Sequence, residues 1–151
     1  MFIARARVNR LLWAAPLALS VALIGGSCPD EPLEEEPEVA TLRLSVGGQT
    51  VDVSDNGTVT PTGGITISAN ATLSASFLKA DGSAETLVTA DEFELRVTSQ
   101  STGVVTYTST GAFAGTLNKL STGGTQLSIE LFHLVEQHAD FGPFPVPITV
   151  N

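Results

Sequence analysis

From position 41 onward, apolar residues return at every second position in short runs. Leu42, Leu44 and Val46 alternate with Thr41, Arg43 and Ser45. Val51 and Val53 follow the Gly47-Gly48 pair, and Ile65 and Ile67 follow Thr62-Gly63-Gly64. Ala71, Leu73, Ala75 and Phe77 alternate with Thr72, Ser74 and Ser76, and the run stops at Asp81-Gly82. Phe93, Leu95 and Val97 repeat the pattern; Val104 to Thr108 is rich in β-branched residues; Phe113 and Leu117 frame a further run. Leu127, Ile129 and Leu131, then Val146, Ile148 and Val150, complete the series. Period-two spacing of this kind predicts strands with one face buried. The Thr and Ser between the apolar positions suit the exposed face of a sheet. Asn56-Gly57 predicts a tight hairpin turn. The one helical signal, the capping-box sequence Thr89-Ala90-Asp91-Glu92, runs at once into the Phe93 strand, so a single turn is all it predicts. About eight or nine short strands within about 113 residues predict an all-β fold, a two-sheet antiparallel β-sandwich in one domain, 39–151.

The stretches Ala71 to Gly82 and Phe113 to Phe132, with the loop Leu120-Ser121-Thr122-Gly123-Gly124-Thr125, resemble strands of bacterial immunoglobulin-like and fibronectin type III-like domains. That resemblance implies an immunoglobulin-like sandwich. The cysteine pair and the core tryptophan of antibody domains are missing, because Cys28 and Trp13 both precede the domain. The packed centre is therefore expected from Phe77, Phe93, Phe113, Tyr107 and the aliphatic residues.

The pattern before position 39 is different. Arg5, Arg7 and Arg10 precede an apolar run from Leu11 to Ile24, and small residues lead to Cys28. This is the layout of a secretory signal peptide over 1–27. The run of about 14 residues is short for a bilayer core, which takes about 20. Ile24-Gly25-Gly26-Ser27-Cys28 resembles the lipobox of bacterial lipoproteins, although Gly25 stands where that motif has leucine. The resemblance implies cleavage before Cys28, lipidation of its sulfur, and a place in the bacterial cell envelope, anchored to a membrane and facing the periplasm or the cell exterior. Cys28 is the only cysteine, so no intrachain disulfide competes for it. A signal peptide cut nearby, with Cys28 an incidental thiol, is the alternative.

Residues 28–38 then read as a tether. Pro29-Asp30-Glu31-Pro32-Leu33-Glu34-Glu35-Glu36-Pro37-Glu38 offers almost nothing to bury and repels itself, which predicts an extended, disordered spacer. The whole chain has seven Lys and Arg against sixteen Asp and Glu, a net charge of −9. Three of the basic residues lie in the leader. Only Arg43, Lys79, Arg96 and Lys119 remain in the mature chain, whose net charge is −12. Nucleic acid is excluded as a partner for want of phosphate-neutralising side chains. An anionic lipid surface is disfavoured for the same reason, so the membrane would be reached through the N-terminal lipid.

Candidate chemistry gathers near the C-terminus. Both histidines, His133 and His138, stand five residues apart among Glu130, Glu136 and Asp140. Imidazole and carboxylate are zinc and copper ligands. With Leu127 to Val135 as a strand and a turn near Glu136-Gln137, His138 returns beside His133, and Glu136 or Asp140 completes a set. The competing expectation is structural: His133 shares the parity of Leu127, Ile129, Leu131 and Val135, which places it on the buried face near a strand end. In Phe141-Gly142-Pro143-Phe144-Pro145-Val146-Pro147 the prolines lack ladder donors, so a loop or a sheet rim is expected. There Phe141 and Phe144 either meet a partner or plug the end of the sandwich. No GxSxG elbow, Cys-His pair or phosphate-cradling glycine motif is present, so no enzyme and no required cofactor is expected. The expected role is a binding or structural module that contacts an envelope protein or polysaccharide through its loops; the alternative is a periplasmic zinc- or copper-binding protein.

Overall fold

The computed structural model describes residues 35–151. The leader, Cys28 and the start of the tether lie outside them, and with these the expected cleavage and lipidation. The described residues form ten strands and no helix: β1 (Thr41–Val46), β2 (Gln49–Ser54), β3 (Val59–Thr60), β4 (Ile65–Ile67), β5 (Ala71–Leu78), β6 (Phe93–Ser99), β7 (Val105–Gly111), β8 (Ala114–Lys119), β9 (Gly123–His133) and β10 (His138–Val150). Ten replaces the expected eight or nine because Val59–Thr60 pairs across the Asn56-Gly57 turn. Two residues are too few to show an alternation. The turn itself forms as its sequence predicts. The Asn56 side chain accepts the Thr58 N–H at 3.0 Å and Gly57 takes a positive φ of 82°.

Six strands form one sheet in the order β3-β2-β1-β5-β8-β7, and four form the other in the order β4-β10-β9-β6. The runs β1-β5-β8-β7 and β10-β9-β6 reproduce the ABED and GFC orders of an immunoglobulin-like sandwich, with β2 and β3 added beyond the first strand. Alternation works as expected on the facing sides. Leu42, Leu44, Leu73 and Leu117 of one sheet and Phe93, Leu127, Ile129, Leu131 and Ile148 of the other join one buried cluster. Phe113 and Tyr107 pack only at its margin.

Three expectations are corrected. The sandwich is not wholly antiparallel, because β4 runs parallel to β10, with Ile65 beside Ile148 and Ile67 beside Val150. The chain leaves the first sheet through Thr62-Gly63-Gly64 and meets the last strand from the other layer. Gly64 has a φ of 66°, and a Cβ there would stand 2.1 Å from the Pro147 carbonyl oxygen. Of the two alternatives for Phe141, partner contact fails and plugging the sandwich holds: it is 4% exposed and belongs to the core. A register shift on each side of Phe141 turns it inward, which simple alternation does not anticipate. Phe144 is half-buried, meets Phe141 edge-on at 5.1 Å and lies over Gly57. Finally, β9 stops at His133, and Val135 is 73% exposed instead of sharing the buried face.

The proline-rich segment lies within β10, at the rim of its sheet. Its ladder to β9 continues through Pro145 and Pro147, while β4 covers its other side only from Ile148. The Pro147 carbonyl faces Gly64 on that other side, so the missing donors of Pro147 and Pro145 turn away from β9 and break no ladder bond.

Candidate metal centre

The β9–β10 hairpin places both histidines. Leu134 to Gln137 make its turn, closed by the Gln137 N–H on the His133 carbonyl at 2.9 Å. Gln137 takes a left-handed φ of 60°, a conformation that few residues other than glycine adopt. Its side-chain amide donates to the Leu134 carbonyl. The turn is tied to the neighbouring strand by the Leu134 N–H on the Glu92 carbonyl at 2.7 Å. His133 and His138 thereby become direct cross-strand partners. Their ring centroids are 5.8 Å apart.

His133 is held on its other side as well. Phe93 is its partner on β6, and the two rings stack at 4.5 Å with 24° between their planes. The His133 side chain is 17% exposed and that of His138 is 52% exposed. The inward orientation expected for His133 is therefore right, and it covers the end of the core without losing access to the cleft beside it.

One carboxylate oxygen lies between the rings. Glu136 Oε2 is 3.7 Å from His133 Nδ1 and 3.5 Å from His138 Nδ1. Asp140 Oδ1 meets His138 Nε2 at 2.6 Å, and its other oxygen is 3.7 Å from His133 Nδ1. One ligand atom from each of His133, Glu136 and His138 lies within 4.8 Å of the others. A tetrahedral ion with bonds of about 2.0–2.1 Å needs ligand atoms about 3.3 Å apart. The set is open by at most about 1.5 Å against that spacing, and Glu136 and His138 are exposed side chains that rotamer changes can bring closer. Asp140 suits a supporting role: its carboxylate stands beside Nε2 of His138 and leaves Nδ1 on the side of Glu136. Glu130 takes no part. It sits opposite Arg96 on β6, on the face of β9 away from Ile129 and Leu131.

Some neighbours of the cluster are not marked in the sequence. A cleft of about 370 Å³ lies over the histidines, and Glu35, Glu36 and Glu92 join Glu136 and Asp140 in lining it. Glu35 and Glu36 look like any other tether acids, and their position follows from a contact far along the chain. The Glu38 N–H donates to Glu85 Oε2 at 3.0 Å. Glu85 is a buried acid in the loop between β5 and β6, and it also accepts the Leu87 N–H at 2.9 Å. The tether thus ends against the domain, where a free spacer is the expectation.

No protein-family model, curated protein or solved structure matches this chain. The functional reading therefore rests on the chemistry of the residues.

That chemistry is one-sided. All four basic residues of the domain are occupied elsewhere. Arg43 forms a two-pronged pair with Asp52, Lys79 lies 3.7 Å from Glu85, Arg96 bonds Glu94 and covers Phe132, and Lys119 reaches the Ser68 carbonyl. None lines the histidine cleft. Two imidazoles and several carboxylates without a neighbouring cation make a site that attracts metal cations and repels anions.

Proposed function

We propose that the chain is a non-catalytic cell-envelope lipoprotein, held at a membrane by a lipid on Cys28, whose immunoglobulin-like sandwich is a binding module with a zinc or copper site at His133, Glu136 and His138. The observation that carries the metal reading is the placement of Glu136 Oε2 within 3.7 Å of the Nδ1 atoms of both histidines. Imidazole with carboxylate suits these two metals better than calcium or magnesium, which take oxygen ligands. Three protein ligands leave a tetrahedral ion one further position. The contacts to an envelope protein or polysaccharide are made separately, through the sandwich loops.

The test is titration of the purified mature chain with Zn²⁺ and Cu²⁺. Binding to the folded state alone stabilises by about 2.7 kcal/mol when free metal is 100 times Kd, so the unfolding temperature should rise by several degrees and fall back on chelation. His138→Ala, at an exposed position, should remove the rise and leave the metal-free unfolding temperature nearly unchanged. No rise with either metal would end the metal reading. Mass spectrometry of the mature N-terminus tests the anchor separately: a diacylated or triacylated Cys28 is expected, and an unmodified N-terminus elsewhere would refute it.

A further inference from the structure

We infer that the acidic strap Glu35 to Glu38 is part of the cation site: an ion held by His133, Glu136 and His138 also takes a carboxylate from Glu35 or Glu36, and so fastens the tether to the domain. This rests on the metal reading above and adds a ligand from a distant part of the chain that lines the same cleft.

Three observations lead here. The first is position. Glu35, Glu36 and Pro37 line the same cleft as the two histidines, although about 100 residues of chain separate them. The second is how the strap is brought there. Glu38 donates its backbone N–H to Glu85, whose side chain is 1% exposed and which also faces Lys79 Nζ at 3.7 Å. A buried carboxylate with two backbone donors is a firm anchor point, because an unpaired charge in that place is costly. Pro37, beside the anchored residue, has a restricted φ and narrows the paths open to the two acids before it.

The third observation is charge. Glu35, Glu36, Glu92, Glu136 and Asp140 converge on one cleft that no Lys or Arg among the described residues lines. A strap carrying like charge settles over such a cleft at an electrostatic cost, and a divalent cation between the walls turns that repulsion into attraction. The two-histidine, one-carboxylate set leaves a tetrahedral ion one position short of closure, and a strap carboxylate fills it. The ion then acts as a clasp. With metal the strap is fastened to the domain at two points, the ion and Glu85; without it, at Glu85 alone.

The test compares zinc binding by calorimetry in the full mature chain and three variants. Glu35→Gln with Glu36→Gln should weaken zinc about tenfold or more, as loss of a supporting group at a metal site does. Asp30→Asn with Glu31→Gln removes the same charge from elsewhere in the tether and should leave the affinity within twofold. His138→Ala should weaken zinc far more than either. Amide exchange gives a second readout: zinc should slow exchange at Glu36 and Glu38 in the natural chain and have no such effect in the Glu35→Gln, Glu36→Gln variant. If that variant keeps full affinity and zinc-dependent protection while His138→Ala loses binding, the strap inference is wrong and the metal reading stands. Equal weakening by both tether variants would mean net charge and no ligation, and would also overturn it. If the natural chain binds neither zinc nor copper, both fall together.

Discussion

The β9–β10 hairpin has two ends built on one rule and put to different uses. Towards its open end, Leu127, Ile129, Val146 and Ile148 point inward at every second position and are at most 1% exposed. Towards its turn, His133 holds the next inward position after Leu131 and faces Phe93 on one side and His138 on the other. The alternation does not change between the two ends; what lies opposite does. Across the middle of the hairpin stands the other sheet. Beyond the last apolar layer, the described residues around the cleft are those of the strap, Leu87 of the Glu85 loop and Glu92. A polar inward side chain is costly in the first setting, where no partner reaches it, and affordable in the second, where carboxylates and solvent do. The histidine cluster thus sits where the core ends, on strands whose inward faces pack into it.

Truncating one side chain at each end should give opposite results. Leu131→Ala, with Leu131 fully buried, should cost about 2–5 kcal/mol in urea unfolding by loss of burial and creation of a cavity. Val135→Ser lies four residues on with the same parity and is 73% exposed, so it should change stability by less than about 0.5 kcal/mol. Similar costs at both positions would show that the turn is packed and that the core does not end at His133.

Between these extremes stands the strap anchor. Glu85→Gln keeps the shape and loses the charge, and should cost about 1–3 kcal/mol. The Leu87 N–H, and after it the Glu38 N–H and Lys79, hold the Glu85 carboxyl below the usual carboxylate range in spite of burial, which pushes the other way. A carboxyl with a lowered folded pKa contributes stability that is complete above its unfolded pKa. That contribution is lost as pH falls through the folded value. The natural chain should therefore lose more stability than Glu85→Gln between about pH 5 and pH 3. Asp52, lowered by its pairing with Arg43, and Asp81, lowered by Ser83, leave a smaller slope in the variant. Parallel pH profiles for the two proteins would show that Glu85 anchors nothing.

Much of this architecture is legible from residue patterns. The runs beginning at Leu42, Val51, Ile65, Leu73, Phe93, Leu127 and Val146 all become strands with the expected faces inward. The return of His138 to His133 is also legible, since two histidines on either side of a short polar turn have few other places to go. Glu85 is not. It is an acid in a loop with nothing around it in the chain to mark it, and only the approach of Glu38 and Leu87 makes it a buried acceptor. Phe93 reads as a core residue, and its second task as the platform under His133 depends on the β6–β9 register.

The linear order of residues settles which segments extend, which face of each is apolar, where the Asn56-Gly57 hairpin bends and how the charge divides between residues 1–27 and the rest of the chain. These are local matters of side-chain period, turn conformation and count. It does not settle that β4 joins β10 in parallel, that register shifts turn Phe141 into the core, or that two tether glutamates stand over two histidines about 100 residues away. Each of those depends on which strand edge or loop comes within hydrogen-bonding reach of which other. That is a property of the assembled layers, because a period of two marks the buried face of a strand and carries no information about its neighbour.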